Sequence, residues 1–178
     1  MHKQQTADEA ETMISSASAD QHIEEKSMKT LALVLFAVLF LVGSVGATAD
    51  QENDAKELVQ KAVQFFSEKG KDYALKVVGT SNGPFRKDGG LYVFAFALDG
   101  TGLAHPYNRN LLSPQWSLQD VKGKYFIQDF VAVAKEKGSG WSDYYWNKPG
   151  ETKPVLKKTY IMRVPGEEIL LGCGYYVE

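Results

Sequence analysis

The densest chemical signal in the chain lies near its C-terminal end. Trp141, Tyr144, Tyr145, Trp146, Tyr160, Tyr175 and Tyr176 are interleaved there with Lys157, Lys158 and Arg163. Aromatic walls around one or two cations suit a small organic anion. The rings supply enclosure, and the cation fixes a carboxylate by charge-assisted hydrogen bonds. Taken singly, each of these residues is more simply a core ring or a solvated lysine; the group is what points to a pocket. His105, just before Pro106, adds a group that can donate to a carboxylate when neutral and pair with it when protonated. Its simpler role is an imidazole satisfied by a backbone carbonyl.

Other chemistries find little support. A hydrolase or isomerase needs a nucleophile–base pair or two convergent carboxylates. His105 with Ser142 or Ser139 is the sole arrangement on offer, and no spacing favours it, so no catalytic residue is expected. There is no Cys-x-x-Cys-His haem site and no His/Cys cluster with metal spacing, so no cofactor is expected either. The one cysteine, Cys173, lies between Gly172 and Gly174 and reads as a small buried hydrophobe. The two glycines suggest close approach of the backbone to a helix or a ligand. After Ala49 the charges balance, with 17 basic and 16 acidic residues, which leaves no basic stripe for nucleic acid.

The elements that position these residues follow from periodicity. Leu91–Pro106 reads as a hairpin. Tyr92, Phe94, Phe96 and Leu98 alternate with the smaller Val93, Ala95 and Ala97, and Asp99-Gly100 serves as a two-residue turn. The small face can take a close helix; the ring-rich face is left for a core or pocket. Residues 50–69 repeat apolar positions at three and four (Ala55, Leu58, Val59, Ala62, Val63, Phe66), an amphipathic helix ended by Gly70. A short helix over 72–78 follows. A second amphipathic helix is expected over 124–137, and strands over 141–146, 156–164 and 169–177. The class is α+β: a central antiparallel sheet of about five strands with helices over one face.

Alternation also sorts the candidates. On the 141–146 strand, Ser142, Tyr144 and Trp146 share a face, opposite Trp141, Asp143 and Tyr145. Burying a lone carboxylate is costly, so Asp143 leans outward and Tyr144 and Trp146 face the pocket. On the next strand Lys157 and Tyr160 fall on opposite faces unless a bulge re-aims one.

The N-terminal quarter reads as a leader. Residues 31–42 are twelve unbroken apolar residues, preceded by Met28-Lys29 and followed by small residues at A-x-A spacing. That is a signal peptide over 28–49, cut after Ala49 or Ala47; a spanning helix needs about 20 apolar residues. Residues 1–27, with six acidic and two basic side chains, read as a mis-assigned upstream extension. The rival is an uncleaved anchor, the one way this chain would stay on a membrane, but an acidic tail runs against the positive-inside bias. Residues 50–178 form the remaining domain, periplasmic or secreted.

The series from Ala55–Leu75, Gly83–Phe85, Leu91–Pro106, Gly138–Pro149 and Lys157–Val164 resembles a single Cache domain. This is the PAS-like extracellular sensor module of bacterial chemoreceptors and sensor kinases, in the form found in small free-standing secreted proteins. The resemblance covers nearly all of 50–178 and rests on the ordered series, since none of the motifs is catalytic. It implies a PAS-like sheet with a long N-terminal helix on one face. It also implies a pocket on the other face for a small carboxylate or related metabolite, with Trp141, Lys157 and Tyr160 facing the ligand. The candidate set is therefore Tyr92, Phe94, His105, Trp141, Tyr144, Trp146, Lys157 and Tyr160. No output domain is expected, so a membrane receptor or sensor kinase is the implied partner. Ser113-Pro114-Gln115-Trp116 departs from the family, which often has a glycine in this pocket-closing loop. The alternatives are a structural or protein-interaction domain with a filled core, and an exported hydrolase.

Overall fold

The computed structural model describes residues 49–177. The leader over 28–49, apart from Ala49, and the extension over 1–27 lie outside them. None of the described helices is long and apolar enough to cross a membrane.

Helix α1 occupies 49–69 and buries the stripe Ala55, Leu58, Val59, Ala62, Val63 and Phe66. It stops where Gly70 takes φ 79°, a left-handed conformation that glycine adopts without strain. Helix α2 (Lys71–Val78) follows. Phe85, in the turn before the sheet, sets its ring edge-on to Phe65 with centroids 5.3 Å apart. The strands are β1 (Arg86–Lys87), β2 (Leu91–Ala97), β3 (Gly102–Ala104), β4 (Ser139–Asn147), β5 (Pro154–Arg163) and β6 (Ile169–Tyr176). They form one antiparallel sheet in the order β1-β2-β6-β5-β4, with β3 pairing β2 as well. A 3-10 turn (Arg109–Leu111) and helix α3 (Phe126–Glu136) link β3 to β4.

Two features differ from the sequence reading. The β2–β3 loop has three residues, Leu98-Asp99-Gly100, because Ala97 N–H bonds the carbonyl of Thr101 and Gly100 N–H bonds that of Ala97. Gly100 has φ 85°, and the extra residue is absorbed by a register shift between Ala95 and Phe96. The helices also take opposite faces. Helix α1 packs on Val93, Ala95, Ile169, Leu171, Cys173 and Tyr175. Helix α3 lays Phe126, Ile127, Phe130, Val131 and Ala134 on Phe94, Phe96, Leu98, Tyr144, Ile161 and Leu170. Side-chain size decides this: the long helix takes the small face, and the ring-rich face needs a partner of its own. Each such side chain, fully buried, contributes about 1.5–3 kcal/mol.

Candidate functional site

The α3 face of the sheet carries the polar anomalies. Lys157 lies on β5 between Tyr144 of β4 and Tyr176 of β6, as the strand registers dictate. It is 0% exposed, and its Nζ has no hydrogen-bond partner among the described residues. Three rings surround it, with centroids 4.0 Å (Tyr92), 4.9 Å (Tyr176) and 5.9 Å (Phe94) from Nζ. Burial pushes its ammonium down to about 7. Thr159, two residues along the same face, has a buried hydroxyl likewise without a partner. Room for the lysine stem comes from Gly174. A Cβ there would stand 2.6 Å from the Lys158 carbonyl oxygen and 2.9 Å from Lys157 Cε, and would collide with Thr159 Oγ1. Gly172 makes the corresponding room for Phe94, whose Cε2 would lie 2.7 Å from such a Cβ.

His105, at the end of β3, is buried but not bonded to a carbonyl. Its Nδ1 accepts the backbone N–H groups of Asn108 at 2.9 Å and Tyr107 at 3.2 Å. The proton therefore sits on Nε2, and the ring is neutral. Burial, reinforced by the Lys157 charge, pushes it down to about 3.

A cavity of about 360 Å³ opens between the Tyr107–Asn108 and Gln119–Val121 segments and the β4–β5 turn, with Tyr92, His105 and Trp146 in its wall. Lys157 is not in the lining; it sits behind Tyr92. Asp120 pins the outer wall to the edge of β4. Its Oδ1 accepts the N–H groups of Lys122 and Lys124, and its Oδ2 accepts that of Tyr145 at 2.9 Å.

The structure thus brings Tyr92, His105 and Trp146 to one cavity and sets Lys157 immediately behind it. Phe94 and Tyr144 lie on the same face but deeper. Phe94 stacks on Phe130 (5.8 Å) and Tyr144 on Phe126 (4.4 Å), so both are part of the packing under α3. Trp141 and Tyr160 are not brought to the site. No bulge interrupts β4 or β5, so alternation holds; the two residues are register partners on the α1 face, their rings 5.3 Å apart. The candidate set left out Tyr176, although the alternation Gly172, Gly174, Tyr176 places it on the face that the glycines open. It also missed Thr159. Tyr107 sits edge-on to Tyr92 at 5.0 Å from an irregular loop that carries no periodicity to read. Ser142 does not meet His105; its hydroxyl donates to Asp129 Oδ2 at 2.6 Å.

A buried lysine under rings, a neutral imidazole and a cavity thus meet at the open end of the sheet. The family described as Single Cache domain 2 matches residues 44–178, and the chain belongs to it. Cache domains are extracellular or periplasmic sensor domains. Among its relatives, the methyl-accepting chemotaxis protein McpP of Pseudomonas putida is 32% identical over 77 residues, 43% of this chain and 14% of that receptor. The sensor histidine kinase MctS of Rhizobium johnstonii is 28% identical over 95 residues, 53% of this chain and 20% of that kinase. The matched stretches are thus a small part of both relatives' length. A solved periplasmic sensor domain of a chemotaxis protein is similar with a TM-score of 0.58 and 27% identity, over 75% of this chain and 94% of that one. A Cache chemosensory domain solved for carboxylic acid recognition has a TM-score of 0.57 at 24% identity, over 79% and 97% respectively, and so shares the fold.

Proposed function

We propose that this chain is an exported sensor-type module that binds a small carboxylate or related metabolite and passes its occupancy to a membrane receptor or sensor kinase. The observation that carries this reading is Lys157, whose fully buried amino group has no hydrogen-bond partner among the described residues. An uncompensated buried charge is expensive, so an anion brought to Nζ supplies the compensation that the surrounding side chains do not. A carboxylate supplies that anion. Tyr92, His105 and Trp146 enclose its apolar part, and the His105 Nε2–H is the second donor. Contact with Nζ requires the Tyr92 ring to turn aside, which links occupancy to a movement at the sheet's open end. The sensor relatives, and the carboxylic acid recognition ascribed to one structural neighbour, point the same way. Export rests on the apolar segment before residue 50.

The test is a thermal-shift screen of the full chain at pH 6 against small carboxylates, amino acids and amines. A ligand at 100 times its dissociation constant adds about 2.7 kcal/mol to stability. The expected result is a shift for carboxylates that Lys157→Met and Trp146→Ala both lose. A flat screen overturns the reading. It would favour a filled-core interaction domain, for which the close stacking of Phe94 and Tyr144 under α3 is the specific observation.

A further inference from the structure

The geometry points to proton-coupled recognition: a carboxylate enters this site together with one proton, which the Lys157 amine takes up and holds as the ammonium facing the anion. This deepens the carboxylate reading above and rests on it.

Nζ is walled by ring faces and has no acceptor among the described residues. Ring faces attract a desolvated cation, but by less than the cost of stripping an ammonium of its water. Among the described residues, the neighbouring elements bring no carboxylate into hydrogen-bonding distance of Nζ. From β2 comes Tyr92 and from β4 Tyr144, both phenols held neutral by burial. From β6 come Tyr176 and, on the sheet's other side, the thiol of Cys173, each pushed up to about 12 by burial. From the end of β3 comes His105, neutral and already an acceptor for two backbone N–H groups. From α3 comes Asp129, engaged by Ser142 and Lys124. From the β4–β5 turn come Glu151, in the cavity wall, and Lys148, whose Nζ is 6.0 Å from the Tyr176 ring; Asp120, in the same wall, is taken by the N–H groups of Lys122, Lys124 and Tyr145. On the α1 side, Glu52 and Asp54 are taken by Tyr175 and Lys87.

The empty-site amine accordingly gives up its proton near pH 7, far below the ordinary lysine value of 10.5. A carboxylate oxygen at Nζ restores the charged form. By linkage, the apparent affinity then falls about tenfold per pH unit above 7, and a carboxylate concentration that fills the site at pH 6 leaves it largely empty at pH 9. The site reads acidity and carboxylate together.

The experiment is calorimetric titration of the full chain with sodium propionate from pH 6 to pH 9, in buffer pairs of different ionisation enthalpy. The apo chain, carrying 13Cε-labelled lysine, is titrated by NMR in parallel. Expected are an affinity loss of about a hundredfold between pH 6 and pH 9, uptake of close to one proton per propionate at pH 9, and one lysine titrating near 7 that disappears in Lys157→Met. Lys157→Arg keeps its charge at every pH, so propionate bound by that variant should show flat affinity. Propionate binding that is pH-independent, or an apo Lys157 titrating near 10, overturns proton coupling and leaves the carboxylate reading standing. No carboxylate binding at any pH, with a lysine titrating near 7, overturns the carboxylate reading and the coupling with it.

Discussion

On the α1 side of the sheet, Tyr175 puts its hydroxyl on Glu52 at 2.8 Å, and Lys87 of β1 is held by Asp54 at 2.6 Å. Polar groups there meet partners while Val59, Val93 and Leu171 fill the layer. On the α3 side, 0%-exposed Lys157 and Thr159 end in atoms without partners. The same two strands, β5 and β6, serve both faces, and their odd and even residues lead different lives. Tyr160 and Tyr175 are structural because they point toward α1; Lys157 and Tyr176 are exceptional because they point away. The difference teaches that strand parity alone separates a face whose polar groups are partnered from one that leaves a buried lysine without a hydrogen bond.

The largest expected effects treat the faces alike. Phe130→Ala should cost about 3–5 kcal/mol and Leu171→Ala about 2–5 kcal/mol in denaturant unfolding, since both open cavities in packed layers. A much smaller loss for Phe130→Ala would mean that the α3 layer is loose, and the contrast would then be one of packing.

The next effect separates the faces. Lys157 has a folded-state value of about 7 against 10.5, so the unfolded chain binds the extra proton in that interval. Stability should rise by about 3–5 kcal/mol as pH climbs from 7 to 10.5, and that gain is lost as pH falls back through this interval and is gone once pH is below the folded value of about 7. Lys157→Met should flatten that slope and unfold later than the wild type at pH 6, by about 1–4 kcal/mol. His105, pushed down to about 3, gives a second loss of stability as pH drops below 6.5. A variant destabilised by Lys157→Met at pH 6 would show that the ammonium is already compensated in the empty protein.

Smaller effects sharpen the picture. Gly174→Ala should cost about 1–3 kcal/mol through overpacking against Lys157 and Thr159, and should weaken carboxylate-induced stabilisation in the same preparation. Tyr175→Phe should cost about 1 kcal/mol, the loss of one hydrogen bond, and leave ligand response untouched.

Much of this was legible in the residues. The α1 stripe, the small face of β2 and the turn glycines Gly70 and Gly100 follow from spacing and backbone chemistry. Lys157 stood out as a cation in an aromatic strand, and the choice between it and Tyr160 turned on whether a bulge existed. Alternation within β5 favoured one of them, and the unbroken ladder from Ser139↔Met162 to Asn147↔Pro154 upheld alternation. Trp141 was placed in the site by resemblance against that same parity, and parity prevailed. What could not be read is long-range: which face α3 covers, and that the loop from Pro106 brings Tyr107 over Tyr92. The acceptor role of His105 Nδ1 likewise depends on the turn at Tyr107–Asn108, which no periodicity announces.

The central claim is that the α3 face receives an anion at Lys157. The most direct measurement is a crystal structure of the full chain grown with saturating propionate at pH 6. The account predicts a carboxylate oxygen about 3 Å from Lys157 Nζ, with the Tyr92 ring turned aside and the alkyl group against Trp146. Propionate bound elsewhere in the cavity, with Tyr92 still lying on Nζ, would contradict it.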